Sequence, residues 1–303
     1  AFQLPQHILP GTASVHQTDK SGAQLAVCHI LCHIAPNAAV DLLYPPYIPP
    51  CRNIGILRIA LDIYKNSANN VDYIRKTSNG IGTWLAVFNN EGDVVASISK
   101  RPDLSPIADI LDEQGDEIFS QADSIIIEID LEKEIIKRVF RLANKYHKKV
   151  FAVVSNMSIA LERRDFLMKV DCFVCNQQEA GILFSADYSA ETPDSLMEII
   201  AEKAKAACIN SLIVTMGSAG AVYADCSGHF GHCLARTVQV KDTTGAGDAF
   251  CAGAAIGLTY GKDLAQACEI GAHLASSVIV TAESVCPRFR PRELGLNIDV
   301  RED

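Results

Sequence analysis

Asp242-Thr243-Thr244-Gly245-Ala246-Gly247-Asp248-Ala249-Phe250 runs without a break into Cys251-Ala252-Gly253-Ala254-Ala255-Ile256-Gly257-Leu258. Glycine and alanine at 245–247 carry almost no side chain, so the backbone there can pass close to a bulky anion. The stretch after Gly247 is rich in alanine and free of proline, which predicts a helix with 245–247 at its N-terminus. Free N–H groups and the positive end of the helix dipole favour negative charge at that end. Asp248, in the first turn, sits where a carboxylate is electrostatically comfortable and could accept a proton. A tight turn followed by a capping aspartate would produce the same tripeptide with no chemistry attached.

An anion cradle with a carboxylate at its lip suits phosphoryl transfer, and the full run is far more specific than its three central residues. Asp-Thr-Thr-Gly-Ala-Gly-Asp-Ala-Phe closely resembles the C-terminal signature of the ribokinase-like (PfkB) family of sugar and nucleoside kinases. The resemblance implies that Asp248 is the catalytic base and that the amides of Gly245, Ala246 and Gly247 form the anion hole. It further implies ATP and Mg²⁺ as cofactors and a small sugar or nucleoside as acceptor.

Composition bounds the alternatives. A chain of 303 residues with 49% hydrophobic content can bury one large α/β core. No apolar run reaches membrane-spanning length, and the opening residues carry no basic region followed by an apolar stretch, so no signal peptide is expected. A formal net charge of −9 disfavours nucleic acid and membrane surfaces as partners. Eleven cysteines scattered through apolar stretches suit buried free thiols in a reducing cytoplasm better than a disulfide framework. Two Cys-His pairs lie in Val27–Ile34, where no second cluster supports zinc, so they are assigned to a core strand.

From residue 124 onward, apolar runs alternate with amphipathic ones. Strands are expected at 124–129, 149–154, 172–175 and 212–215, and helices at 132–146, 158–167, 193–207 and 263–280. This alternation predicts an α/β fold with a largely parallel central sheet covered by helices on both faces, which is the ribokinase-like arrangement. The chain is expected to form a single domain over residues 1–303. The runs 83–88 and 94–99, joined by Asn89-Asn90-Glu91-Gly92-Asp93, predict a hairpin. In the family such a hairpin is a small β lid near the substrate. Its Thr-x-Leu-x-Val-x-Asn-x-x-Gly-Asp pattern is most similar to pseudouridine kinases.

Asn176-Gln177-Gln178-Glu179 follows a predicted strand and matches the family's Asn-x-x-Glu motif, which implies a magnesium and phosphate role for Asn176 and Glu179. A helix cap explains the same residues equally simply. Thr215-Met216-Gly217-Ser218-Ala219-Gly220 resembles the family's nucleotide-binding turn, assigning Thr215, Gly217 and Gly220 to it; it is not a P-loop, because no Gly-Lys-Ser/Thr follows. His273 and Ser277 lie on the helix that walls the adenine in relatives, although a lone histidine on a helix more often simply packs. Asp242, Thr244 and Ser284 lie where many relatives bind a monovalent cation such as K⁺.

The first 80 residues match the family pattern poorly. Asp41 is the candidate for the substrate-binding aspartate after the first strand. Asn53 is the candidate for the sugar-contacting asparagine, although the two glycines that normally precede it are absent. The span between Asp41 and Asn53 is too short for the usual pair of lid strands. The expected activity is therefore ATP-dependent phosphorylation of a nucleoside or sugar hydroxyl, with pseudouridine as the foremost acceptor. The rival is a non-catalytic binding protein that keeps the kinase fold. Relatives often pair through their lids, so a homodimer belongs to the expectation.

Overall fold

The computed structural model describes residues 73, 83–88, 94–100, 103–241, 243, 245–281 and 291–296. Asp41, Asn53, Asp242, Thr244 and Ser284 lie outside the described residues, as does the strand expected at 27–34.

Strands β1 (Thr83–Phe88) and β2 (Val94–Lys100) pair antiparallel as a two-stranded sheet, with an irregularity in register between Val87 and Phe88. Helix α1 (Ser105–Gln121) follows, with proline in its first turn, where the missing N–H costs nothing. The sequence pattern does not announce this helix, because acidic residues are interleaved with its apolar positions. Next come β3 (Ser124–Glu128), α2 (Lys133–Tyr146) and β4 (Lys149–Val153).

The expected single helix over 158–167 is instead two short helices, α3 (Met157–Ala160) and α4 (Arg164–Leu167), separated by a 3₁₀ turn at Leu161–Arg163. The Arg163 guanidinium donates to the Leu131 carbonyl at 3.1 Å and Arg164 to the Leu183 carbonyl at 2.6 Å. Those ties to neighbouring segments accompany the break in the helix. The chain continues through β5 (Cys172–Asn176), α5 (Gln177–Phe184), α6 (Pro193–Ala206) and β6 (Ser211–Thr215). Thr192 caps α6, accepting from the Ser195 N–H at 3.3 Å.

Strands β7 (Ala221–Asp225) and β8 (Phe230–Cys233) then complete a six-stranded sheet in the order β3-β4-β5-β6-β7-β8. The first four strands run parallel, while β7 and β8 are antiparallel additions at one edge. Helices α7 (Ala246–Thr259) and α8 (Leu264–Ile279) close the fold.

The alternation of side chains along each strand divides the core between two faces. Ile125, Ile127, Phe173 and Leu212 pack with Ile107 of α1, Ile135 of α2 and Leu196 of α6. Ile126, Phe151, Val174 and Ile213 pack instead with Phe250, Cys251 and Ala254 of α7 and Cys268 of α8. Both faces are covered, which is why β3 to β6 are apolar runs rather than alternating ones. Helix α7 is buried from Ala249 to Gly257 and needs small residues to lie close to α8. A side chain on Gly253 would meet the Gly271 Cα at 2.8 Å.

Candidate active site

Parallel strands of an open sheet end together, and the loops at their C-terminal edge form the crevice where such folds bind ligands. Asn176 ends β5 and Thr215 ends β6, and the two are register partners. The Asn-x-x-Glu segment and the turn after β6 therefore start side by side. The Thr215 hydroxyl donates to the Cys175 carbonyl at 3.4 Å, tying the two strand ends together.

Asn176 and Glu179 form a reciprocal capping box at the start of α5. The Asn176 side chain accepts from the Glu179 N–H at 2.8 Å, and the Asn176 N–H donates to Glu179 Oε2 at 2.7 Å. The capping explanation is thus correct, and it also fixes the glutamate's rotamer while engaging only one carboxylate oxygen in the box. Burial pushes the Glu179 carboxyl above its ordinary value; the charge of Asp248 adds to the rise and the Asn176 N–H opposes it. Glu179 and Asp248, 69 residues apart in sequence, are therefore electrostatic neighbours.

Asp248 stands in the first turn of α7. Gly245 is the residue before the helix and has φ of 83°, a left-handed conformation that side chains other than glycine's adopt only with strain. The Ala246 N–H is turned onto the Thr243 carbonyl at 3.1 Å, so it has a local partner. The Gly247 amide is drawn to no carbonyl among the described residues, and a Cβ at Gly247 would meet nothing within 4 Å. The helix start thus presents backbone to open space beside a pair of carboxylates.

Gly217–Ala219 form a 3₁₀ turn closed by Gly220, whose φ is 94°. Farther along, His273 on α8 is partly buried. Burial and then the Arg236 charge lower its pKa, against an opposing effect from Glu293. The Ser277 hydroxyl donates to the Leu274 carbonyl of its own helix at 2.7 Å. Among the described residues, these interactions of His273 and Ser277, with Arg236, Glu293 and Leu274, do not reach Asp248, Glu179 or the Gly217–Gly220 turn.

Two features escaped the sequence reading. Glu128 and Asp130, at and just beyond the end of β3, are buried at 6% and 2% exposure. Glu128 Oε1 accepts from the Ser155 hydroxyl at 2.7 Å, and its charge acts on Cys251 together with that of Asp248. The available signal was a carboxylate interrupting the apolar run Ile125-Ile126-Ile127-Glu128-Ile129. His232 on β8 is the second feature, and its ring lies 2.6 Å from the Ala219 carbonyl oxygen.

No cluster of three or more His, Cys, Asp or Glu able to hold a metal is found among the described residues. The carboxylate of Glu179 and the amide of Asn176 are oxygen donors of the kind that fits Mg²⁺, which keeps several waters and needs only one or two carboxylates beside substrate phosphates. No helix among the described residues is long and apolar enough to cross a membrane.

A six-stranded, mostly parallel sheet covered by helices on both faces is the ribokinase-like α/β fold. The profile described as pfkB family carbohydrate kinase matches residues 65–287, and the chain belongs to that family, which is one of phosphotransferases. It is 34% identical over 257 residues to a guanosine-inosine kinase of Exiguobacterium acetylicum, covering 83% of each chain. Its fold is similar to that of Arabidopsis thaliana ribokinase complexed with ribose and ATP (TM-score 0.55, 20% identity, 71% of this chain and 68% of that one). It is also similar to a Burkholderia thailandensis nucleoside kinase in complex with inosine (TM-score 0.58, 16% identity, 76% and 72% covered).

Proposed function

We propose that the protein transfers the γ-phosphoryl group of ATP to a hydroxyl of a nucleoside, with Asp248 as the general base. The observation that carries this reading is the start of α7, where Asp248 adjoins a glycine backbone open to an anion and lies within electrostatic reach of Glu179.

Asp248 takes the proton from the acceptor hydroxyl as its oxygen attacks the γ-phosphorus, the bond from that phosphorus to the β,γ-bridging oxygen breaks, and ADP leaves. The Gly247 amide, with the dipole of α7 behind it, holds the charge that builds on the transferring group. Gly245 contributes by its conformation, and Ala246 by turning the chain into the helix. Glu179 and Asn176 would hold Mg²⁺, which when bound would neutralise phosphate charge. Thr215, Gly217 and Gly220 line the nucleotide, and His273 and Ser277 stand on the helix beside the adenine. Because phosphoryl transfer demands little covalent chemistry of the protein, placement and preorganised charge supply most of the acceleration.

The acceptor reading is pseudouridine, carried by the pattern of the 83–93 hairpin, with a 5′-phosphate as product. A second reading, guanosine or inosine, is favoured by the 34% identity to a guanosine-inosine kinase. ADP release with ATP and Mg²⁺ is measured for pseudouridine, guanosine, inosine and ribose in parallel. Turnover with pseudouridine above the purine nucleosides supports the first reading, and the reverse order supports the second. Preference for ribose, or no turnover with any of them, refutes the nucleoside assignment.

A further inference from the structure

The Gly217–Gly220 turn is closed on itself by three backbone hydrogen bonds. Met216 N–H donates to the Gly220 carbonyl at 2.8 Å, Ala219 N–H to Met216 at 3.1 Å and Gly220 N–H to Gly217 at 3.1 Å. The first of these bonds continues the β6–β7 ladder beyond the Thr215–Ala221 pair, so the turn is the tip of that hairpin. Its tilt is further fixed from outside, by the end of β8.

Two contacts set it. The Gly220 Cα lies flush against the chain leaving β8: a Cβ there would fall 2.1 Å from the Cys233 carbonyl oxygen and 2.8 Å from the Ala235 nitrogen. Beside it, His232 Nε2 lies 2.6 Å from the Ala219 carbonyl oxygen. A carbonyl only accepts, so Nε2 carries the proton and donates it. His232 pairs with Val222 in the β7–β8 ladder, which anchors the donor to the sheet. Its neighbour Cys233 packs into the α7–α8 face, so strand alternation directs His232 to the opposite face.

We propose that His232 is a positioning residue for the nucleotide, donating from the edge strand to the Ala219 carbonyl and so holding the turn at the tilt that ATP requires. The inference rests on the reading of that turn as part of the nucleotide site. Histidine does this from a half-buried position, and the ring cannot swing away without leaving the Ala219 carbonyl without its partner.

The test is calorimetric titration of the variants with a non-hydrolysable ATP analogue and Mg²⁺, so no acceptor is needed. His232→Leu removes the donor, His232→Asn keeps an amide one bond too short to reach, and His232→Gln places an amide nitrogen at the same bond count as Nε2. Leu and Asn should each weaken analogue binding about three- to tenfold, the scale of one hydrogen bond, and Gln should restore most of it. Thermal unfolding of each variant separates loss of positioning from loss of fold. Wild-type affinity in a folded Leu or Asn variant overturns the proposal, as does a Gln variant no better than Leu. Ser218→Glu, which adds a charge on the exposed turn, tells the two failures apart. If it weakens binding while the His232 variants do not, only the positioning role falls; if it too has no effect, the turn is not at the nucleotide and both readings fall.

Discussion

Glu179→Gln changes one charge and almost no volume, and it separates the two roles of the residue. Glutamine can serve in a capping box, because its carbonyl oxygen can accept from the Asn176 N–H as Oε2 does at 2.7 Å. The bond loses its charge assistance, a cost of about 1 kcal/mol on the difference between charged and neutral hydrogen bonds. Against that cost, the variant no longer holds a desolvated carboxylate beside Asp248. The sign follows from linkage. Burial raises the Glu179 carboxyl, so the folded protein binds that proton more tightly than the unfolded chain. Wild-type stability is therefore lost as pH rises through the ordinary glutamate range and on to the raised value, and the loss persists at neutral pH. Glutamine has no such loss, so the variant gains on the wild type as pH rises, and the gap closes below about pH 4. The expectation at neutral pH is stability within about 1 kcal/mol of wild type, whereas Glu179→Ala, which shares that relief but dismantles the box, should fall below the glutamine variant by about 0.5–1.5 kcal/mol, the net worth of one hydrogen bond. Urea unfolding of metal-free protein at pH 4 and pH 7.5 measures this. In the same variant, the Mg²⁺ concentration for half-maximal turnover should rise about 10- to 100-fold, as for other groups that support a bound metal. Glutamine as destabilising as alanine at neutral pH, or an unchanged Mg²⁺ titration, would refute the reasoning.

Three further outcomes follow from the glycines. Gly247→Val should fold normally, since the new side chain enters open space, yet lose phosphotransfer because that space belongs to the anion; normal turnover would make the loop only a turn. Gly245→Val should instead lose about 1–3 kcal/mol of stability from its φ of 83°, read as a lowered unfolding midpoint. Gly253→Ala should cost about 1–3 kcal/mol by wedging α7 from α8 against backbone atoms that cannot yield; an unchanged midpoint would show that the two helices are free to separate.

The layering of the fold was legible because strands buried on both faces leave apolar runs, as at Ile125–Ile127 and Leu212–Val214, and amphipathic helices such as α2 leave a period. The antiparallel pair β7 and β8 was not, since the Tyr223–Asp225 and Phe230–Cys233 stretches mix glycine, histidine and charge at a half-exposed edge. The glycine-rich start of α7 was legible from local chemistry alone. The electrostatic pairing of Glu179 with Asp248 was not, because it joins residues far apart in sequence and depends on where β5 and α7 end. Glu128 was hidden for a similar reason: nothing in an apolar run says that its one carboxylate lies at the crevice edge. His232 carries no motif, and only the packing of β8 against the turn gives it a partner.

The most direct measurement is turnover of Asp248→Asn, made alongside its affinity for a non-hydrolysable ATP analogue. Asparagine keeps the shape of the side chain in the first turn of α7 but cannot take up the acceptor's proton. With ATP and the best acceptor from the screen, the account predicts analogue binding close to wild type and turnover lower by at least about 10²–10⁴-fold, the usual scale for losing a general base. A folded Asp248→Asn protein that turns over at close to the wild-type rate would contradict it.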